Sequence, residues 1–137
     1  MKFPAWLKVY GDVAFRGSCP TEGADQITFF NWLPDDMRKL VLHPKNEGKR
    51  NHYQAARDKA LGLTPGASDI ILPASPAFVC ELKRKDHTKS RWQPGQLDFL
   101  EGCYQIGAFV CVALGYEAAI NAFTEWEKTT NTCDRSL

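Results

Sequence analysis

Ser68-Asp69-Ile70-Ile71-Leu72, the connection Pro73-Ala74-Ser75-Pro76, and the run Ala77-Phe78-Val79-Cys80-Glu81-Leu82-Lys83-Arg84 decide how this chain is read. Two short apolar runs joined by a four-residue, proline-bounded loop predict a β-hairpin, since that loop length is usual for paired strands. Side chains alternate across a strand, so Glu81 and Lys83 share a face with Val79, while Phe78, Cys80 and Leu82 point into apolar packing. A carboxylate and an ammonium at the end of an apolar strand are costly unless both find partners. Asp69, at the start of the first run, supplies a second carboxylate across the hairpin. Two converging carboxylates repel each other, and a divalent cation relieves the repulsion. Mg²⁺ takes hard oxygen ligands and often only one or two protein carboxylates, with waters and phosphates completing its shell. The Leu82 carbonyl is available to the same site. Such an ion polarises a phosphodiester and acidifies a bound water. Lys83 is placed to orient the attacking water or to balance transition-state charge. Taken alone, an Asp followed by Glu-x-Lys is a weak signal, and its plain reading is an exposed ion pair on an edge strand, worth little.

Outward from the hairpin, the chain alternates helical and extended patterns. Residues 1–20 read as an irregular lead-in with a short strand near Leu7–Tyr10. Glu22–Leu33 predicts a helix, with Thr21 as N-cap, acids in the first turn and Pro34 as its stop. Ile27, Phe30 and Trp32/Leu33 are its expected apolar side, and Glu22, Asp25/Gln26 and Phe29 fall together at helical spacing. Leu40–His43 suits a short strand and Arg50–Leu61 a polar helix. Gln96–Ile106 has helical periodicity through Leu97, Leu100 and Tyr104. Ala108–Leu114 is a continuous apolar run, expected of a strand covered on both faces. Tyr116–Trp126 predicts a last helix with Ala119, Ile120 and Phe123 inward, and the polar residues after Lys128 a loose tail. This order predicts an α/β fold, a mixed central β-sheet flanked by helices. The expected division is a lead-in at 1–20, a domain at 21–128 and a tail at 129–137.

The 137 residues fit one domain, and 44% apolar with 24% charged residues is ordinary for a globular protein. No apolar run is long enough for a transmembrane helix, and no signal-like segment opens the sequence, so no membrane partner and a cytoplasmic location are expected. Five cysteines without a Cys-x-x-Cys spacing argue against a zinc site or a disulfide framework. The net charge of +1 hides a polarised distribution. Arg38–Lys59 carries seven Lys/Arg against two acids, and Lys83–Arg91 five against one. Asp98–Glu127 holds five carboxylates and no Lys or Arg. A polyanion would face the first two segments, although charge runs are commonly just solvated faces.

On these residues the stretch from Glu22 to Phe123 resembles the VRR-NUC (virus-type replication-repair nuclease) branch of the PD-(D/E)XK, or restriction-endonuclease-like, fold. The matching residues are Glu22 and Gln26, Asn46-Glu47-Gly48, Pro65-Gly66-Ala67-Ser68-Asp69, Glu81-Leu82-Lys83, Gln96 and Gly107. The resemblance implies a Mg²⁺- or Mn²⁺-dependent DNA endonuclease. Asp69, Glu81, the Leu82 carbonyl and Glu22 would hold the metal, Lys83 would be the catalytic lysine, and Gln96 would support the site beside Asp69 and Glu81. Asn46 and Glu47 match a family signature and are grouped with the expected DNA contacts. Family members often carry Gly-Val-Pro-Asp where this chain has Gly66-Ala67-Ser68-Asp69, so the proline is lost and the acid kept. Asp25 rivals Glu22 as the helix acid. Stand-alone domains of this size resemble phage-encoded nucleases, which implies a homodimer acting on branched DNA in the host cytoplasm.

From the charge map, Lys45, Lys49, Arg50, Arg84, Lys85, Lys89 and Arg91 are candidate backbone contacts, and Trp92 either stacks on a base or packs under its loop. His43, His52 and His87 read more readily as surface histidines than as proton shuttles, with His87 the best placed to meet phosphate. Two other functions compete. One is a non-catalytic nucleic-acid-binding module on the same fold, disfavoured by the complete acid–acid–lysine set. The other is an accessory protein binding a host partner through Trp6, Phe15 and the acidic C-terminal helix.

Overall fold

The computed structural model describes residues 1–43, 52–61 and 66–134. Four strands form one mixed sheet: β1 (Lys8–Tyr10), β2 (Ile70–Leu72), β3 (Phe78–Lys83) and β4 (Phe109–Leu114), in the order β1-β4-β3-β2. β3 runs parallel to β4 and antiparallel to β2, and β1 is parallel to β4 at the far edge. The predicted hairpin is therefore present, with Ile70 opposite Cys80 and Leu72 opposite Phe78. Five helices accompany the sheet among the described residues: α1 (Glu22–Trp32), α2 (Asp35–Arg38), α3 (His52–Ala60), α4 (Gln96–Gln105) and α5 (Tyr116–Asp134).

Alternation along the two central strands divides the core. Phe78, Cys80 and Leu82 of β3 and Cys111 and Ala113 of β4 pack under α1 and α5, against Phe29, Leu33, Ala119, Ala122, Phe123 and Trp126. Val79, Val110, Val112 and Leu114 face the other way, onto Leu7 and Leu100 of α4. Glu81 and Lys83 belong to this second face, as the alternation predicted, and are about 1% exposed.

Local chemistry sets the helix limits. Thr21 Oγ1 accepts the Ala24 N–H at 3.2 Å to start α1. Arg38 donates to the carbonyls of Phe30, Asn31 and Leu33 at the C-terminal end of α1. Of the apolar side expected, Ile27, Phe30 and Trp32/Leu33, only Leu33 is buried; Asp25 and Phe29 complete the inward stripe. Ile27 is 65% exposed, because Phe29 takes the place against Phe123. The strand expected at Leu40–His43 reduces to one bridge, Leu42 to Ile71. α2 and the turn behind it carry the backbone through Leu40, leaving one residue to pair. The helix expected at Arg50–Leu61 is His52–Ala60, with Arg50 outside the described residues. α5 does not stop at Trp126 with a loose tail after Lys128; it runs on to Asp134. No Gly or Pro follows Gly115 to break it, and Thr129 and Thr130 bond back to the carbonyls of Glu125 and Trp126. The short strand expected near Leu7–Tyr10 in the lead-in is present as β1.

Phe123 meets the rings of Phe29, Trp32, Phe78 and Trp126. Phe123→Ala is expected to cost about 3–5 kcal/mol of folding stability, the usual penalty for deleting a fully buried phenyl. Urea unfolding measures this, and a loss under about 1 kcal/mol would contradict the packing described.

Candidate active site

The site forms where β2, β3, α1 and α4 meet, and the ammonium of Lys83 is its centre. Lys83 Nζ donates to the Arg91 carbonyl and to Gln96 Oε1, both at 2.9 Å. It lies 3.7 Å from Glu81 and 4.0 Å from Glu22. Gln96 Nε2 donates to Glu81 Oε1 at 2.9 Å, so one amide group holds the buried carboxylate and the buried ammonium together. Gln96 Oε1 also accepts the Gln93 N–H at 2.8 Å, which fixes the side chain to its own loop.

Asp69 approaches from the start of β2, and its Oδ2 accepts the Leu82 N–H at 3.0 Å. Two glycines set this approach. Gly66, at φ 80°, lies so close to Gly95 and Gln96 that a Cβ would sit 2.3 Å from the Gly95 carbonyl carbon. The turn carrying Asp69 is thereby pressed onto the N-terminus of α4, and no larger residue fits. Burial pushes the Glu81 carboxyl up to about 9; the charge of Asp69 adds to the rise and Lys83 opposes it. Glu81 Oε2 is buried and receives no hydrogen bond. An orphaned carboxylate oxygen facing a second carboxylate fits a hard cation. Among the described residues no three Asp, Glu, His or Cys side chains close into a ligand cage.

The predicted residues divide as follows. Asp69, Glu81, Lys83 and Gln96 are brought together, with the Leu82 backbone beside them. Glu22 is the helix acid at the site: it accepts the Ser90 hydroxyl at 2.8 Å and faces Lys83. Its rival Asp25 is buried in the inward stripe of α1, near the start of α5, and burial raises its pKa. Asn46, Glu47, Lys49 and Arg50, with Lys45, lie outside the described residues. Lys85, Lys89 and Arg91 are exposed on the loop after β3. Arg84 is instead tied to the carbonyls of Cys19 and Pro20. His87 does not face solvent: it is 7% exposed, contacts the Val13 carbonyl and packs on Phe3. Trp92 packs under its loop, donating to the Lys2 carbonyl with its ring 5.3 Å from Lys83 Nζ.

Ser90 and the Arg91 carbonyl escaped the sequence reading. Ser90 sits unremarked in a basic loop, and a backbone carbonyl leaves no trace in residue identity. The N-terminal segment holds this loop in place. Besides its contacts to Arg84, His87 and Trp92, Gly17 N–H donates to Asp86 at 3.0 Å. Trp6 lies against Tyr104, and the Lys85 ammonium lies over Phe15, so both aromatics proposed for a host partner have contacts within the chain.

No protein-family model matches the sequence, and no curated protein matches it. A solved structure described as a VRR_NUC domain protein superposes with a TM-score of 0.63, covering 83% of this chain and 92% of that one. The chain has the VRR_NUC domain fold. Sequence identity across the superposition is 20%, so the shared property is the architecture.

The raised Glu81 pKa makes a stability prediction. The protonated carboxyl is favoured in the folded chain, so its contribution is full below the ordinary value of 4.5 and is lost as pH rises toward about 9. In EDTA the unfolding midpoint should therefore fall from pH 5 to pH 9, and Glu81→Gln should flatten that fall. Equal pH profiles for the two proteins would show that Glu81 is not perturbed.

Proposed function

We propose that this chain is a nuclease of the VRR-NUC type that hydrolyses DNA phosphodiester bonds with Mg²⁺ or Mn²⁺. The observation that carries the reading is the Glu81–Gln96–Lys83 network, with Asp69 and the unpartnered Glu81 oxygen beside it. Asp69, Glu81, Glu22 and the Leu82 carbonyl form the oxygen set for the cation. When bound, the cation supplies polarisation of the phosphodiester and a more acidic water.

The side chains do the rest. An ammonium has three N–H donors, and Lys83 spends two on Arg91 and Gln96. The third is left for the attacking water or a phosphoryl oxygen, where it steadies the charge that builds in the transition state. Gln96 keeps Lys83 and Glu81 in register, and Ser90 keeps Glu22 beside them. Lys85, Lys89 and Arg91 hold the DNA backbone next to the cleft. From the resemblance to stand-alone phage domains, we further propose a homodimer acting on branched DNA. Cytoplasmic action is proposed on the same ground.

DNA should be cut in Mg²⁺ or Mn²⁺ and spared in EDTA, and Lys83→Ala should lower the rate by about 100-fold or more. Cleavage by Lys83→Ala at the wild-type rate would remove the assigned mechanism. DNA binding without cleavage in either metal would favour the non-catalytic module. Lys89→Ala or Arg91→Ala should weaken binding to all sequences and reduce the salt slope by about one per lost phosphate contact. A slope equal to wild type in both would sink the basic-loop role.

A further inference from the structure

Beside Asp69, a cavity of about 530 Å³ opens along α1, with Val41, His43 and Ile70 on its other side. Its size lies in the range of about 300–1,000 Å³ typical of ligand pockets. Ile27 and Phe30 give it apolar walls, Gln26, Asn31 and His43 give it polar edges, and Asp69 closes one end. The core leaves these apolar side chains unused: Phe30 is 39% exposed and Ile27 65%. Arg38 lies 5.8 Å from the Phe30 ring and helps to set it.

We propose that this cavity binds one unpaired nucleobase of the DNA whose scissile phosphate is cut beside Lys83 and Asp69. The inference deepens the nuclease reading, on which it rests, by naming what the substrate presents. A nucleobase has two flat faces that prefer apolar contact and an edge that needs hydrogen bonds, and pockets for extruded bases combine both. Phe30 and Ile27 meet the first need, and the amides of Gln26 and Asn31 with the His43 imidazole meet the second. Continuity with the cleft is direct. His43 Nδ1 lies 2.9 Å from the Asp69 carbonyl oxygen, and Gln26 Nε2 is within hydrogen-bond distance of His43. A base seated there is therefore tied to the strand that presents the Asp69 carboxylate. A stacked and paired base exposes only its edge, so the cavity selects a nucleotide already out of the helix, as at a bulge, a gap or a branch point.

The test uses the full chain in Ca²⁺, with 2-aminopurine placed either at a single-nucleotide bulge or in continuous duplex. The bulged DNA should bind about tenfold tighter, the size expected of one stacked base, with a change in 2-aminopurine emission. Phe30→Ala and Asn31→Ala should each remove most of that preference. Both should leave affinity for continuous duplex, and its cleavage in Mg²⁺, unchanged. Equal wild-type affinity for the two DNAs would overturn the proposal, as would a Phe30→Ala loss equal on both. Loss of a dimer in Phe30→Ala by sedimentation, with the bulge preference intact, would assign the face to a second copy and also overturn it. Bulge preference without cleavage in Mg²⁺ would instead fail the nuclease reading alone, so the two failures are separable.

Discussion

A carboxylate and an ammonium lie side by side on the buried face of β3, and the surrounding structure is arranged to make that burial tolerable. Glu81 and Lys83 are 3.7 Å apart and nearly inaccessible to water. Burying an acid and an ammonium together is costly, burial favours the neutral form of Glu81, and the donors and acceptors of both groups must be met. Gln96 meets most of that need from α4, and the Arg91 carbonyl takes a further Lys83 donor. Glu81 Oε2 is left over, next to Asp69. A fold stabilised for its own sake would have apolar residues at 81 and 83. Here both positions are polar, and Glu81 Oε2 has no hydrogen-bond partner, which is the observation behind the proposed cation site.

Each support has its own anchor, and several reach far along the chain. α4 brings Gln96 into place because Gly66 lets the Asp69 turn close onto Gly95. The loop carrying Ser90 and Arg91 is held by Asp86, which caps its 3₁₀ turn and whose carboxyl hydrogen bonds from Thr88 and Gly17 lower to about 2. Arg84, His87 and Trp92 fasten the same loop to residues 2, 13, 19 and 20. The N-terminal segment is thus part of the frame around Lys83, and its aromatic residues are spent within the molecule.

The strand pairing and the face on which Glu81 and Lys83 lie could be read directly, because a period of two in an apolar run leaves little freedom once one face is buried. Glu22 and Gln96 came from resemblance, since nothing in a lone glutamine announces a contact with residues 81 and 83. Other features followed from competition that residue identity does not record. In α1, Ile27, Phe29, Phe30 and Trp32 are all apolar, and only the position of Phe123 selects Phe29 for the core. The run Leu40–His43 has strand-like composition, but the amides of Leu40 and Val41 bond back to Met37 in the turn behind α2. The polar end of α5 looks like a tail until its threonines are seen to bond back along the helix. Arg84 and His87 resembled their basic neighbours in sequence and differ only in where the first twenty residues lie.

The central claim is that Asp69 and Glu81 form one cation site completed by a divalent metal. Calorimetric titration of Mn²⁺ into the DNA-free chain tests it most directly, because it needs neither substrate nor turnover. The account predicts saturable binding to the wild-type protein, lost in Asp69→Asn and in Glu81→Gln while both variants remain folded. Equal Mn²⁺ binding by wild type and both variants would contradict it.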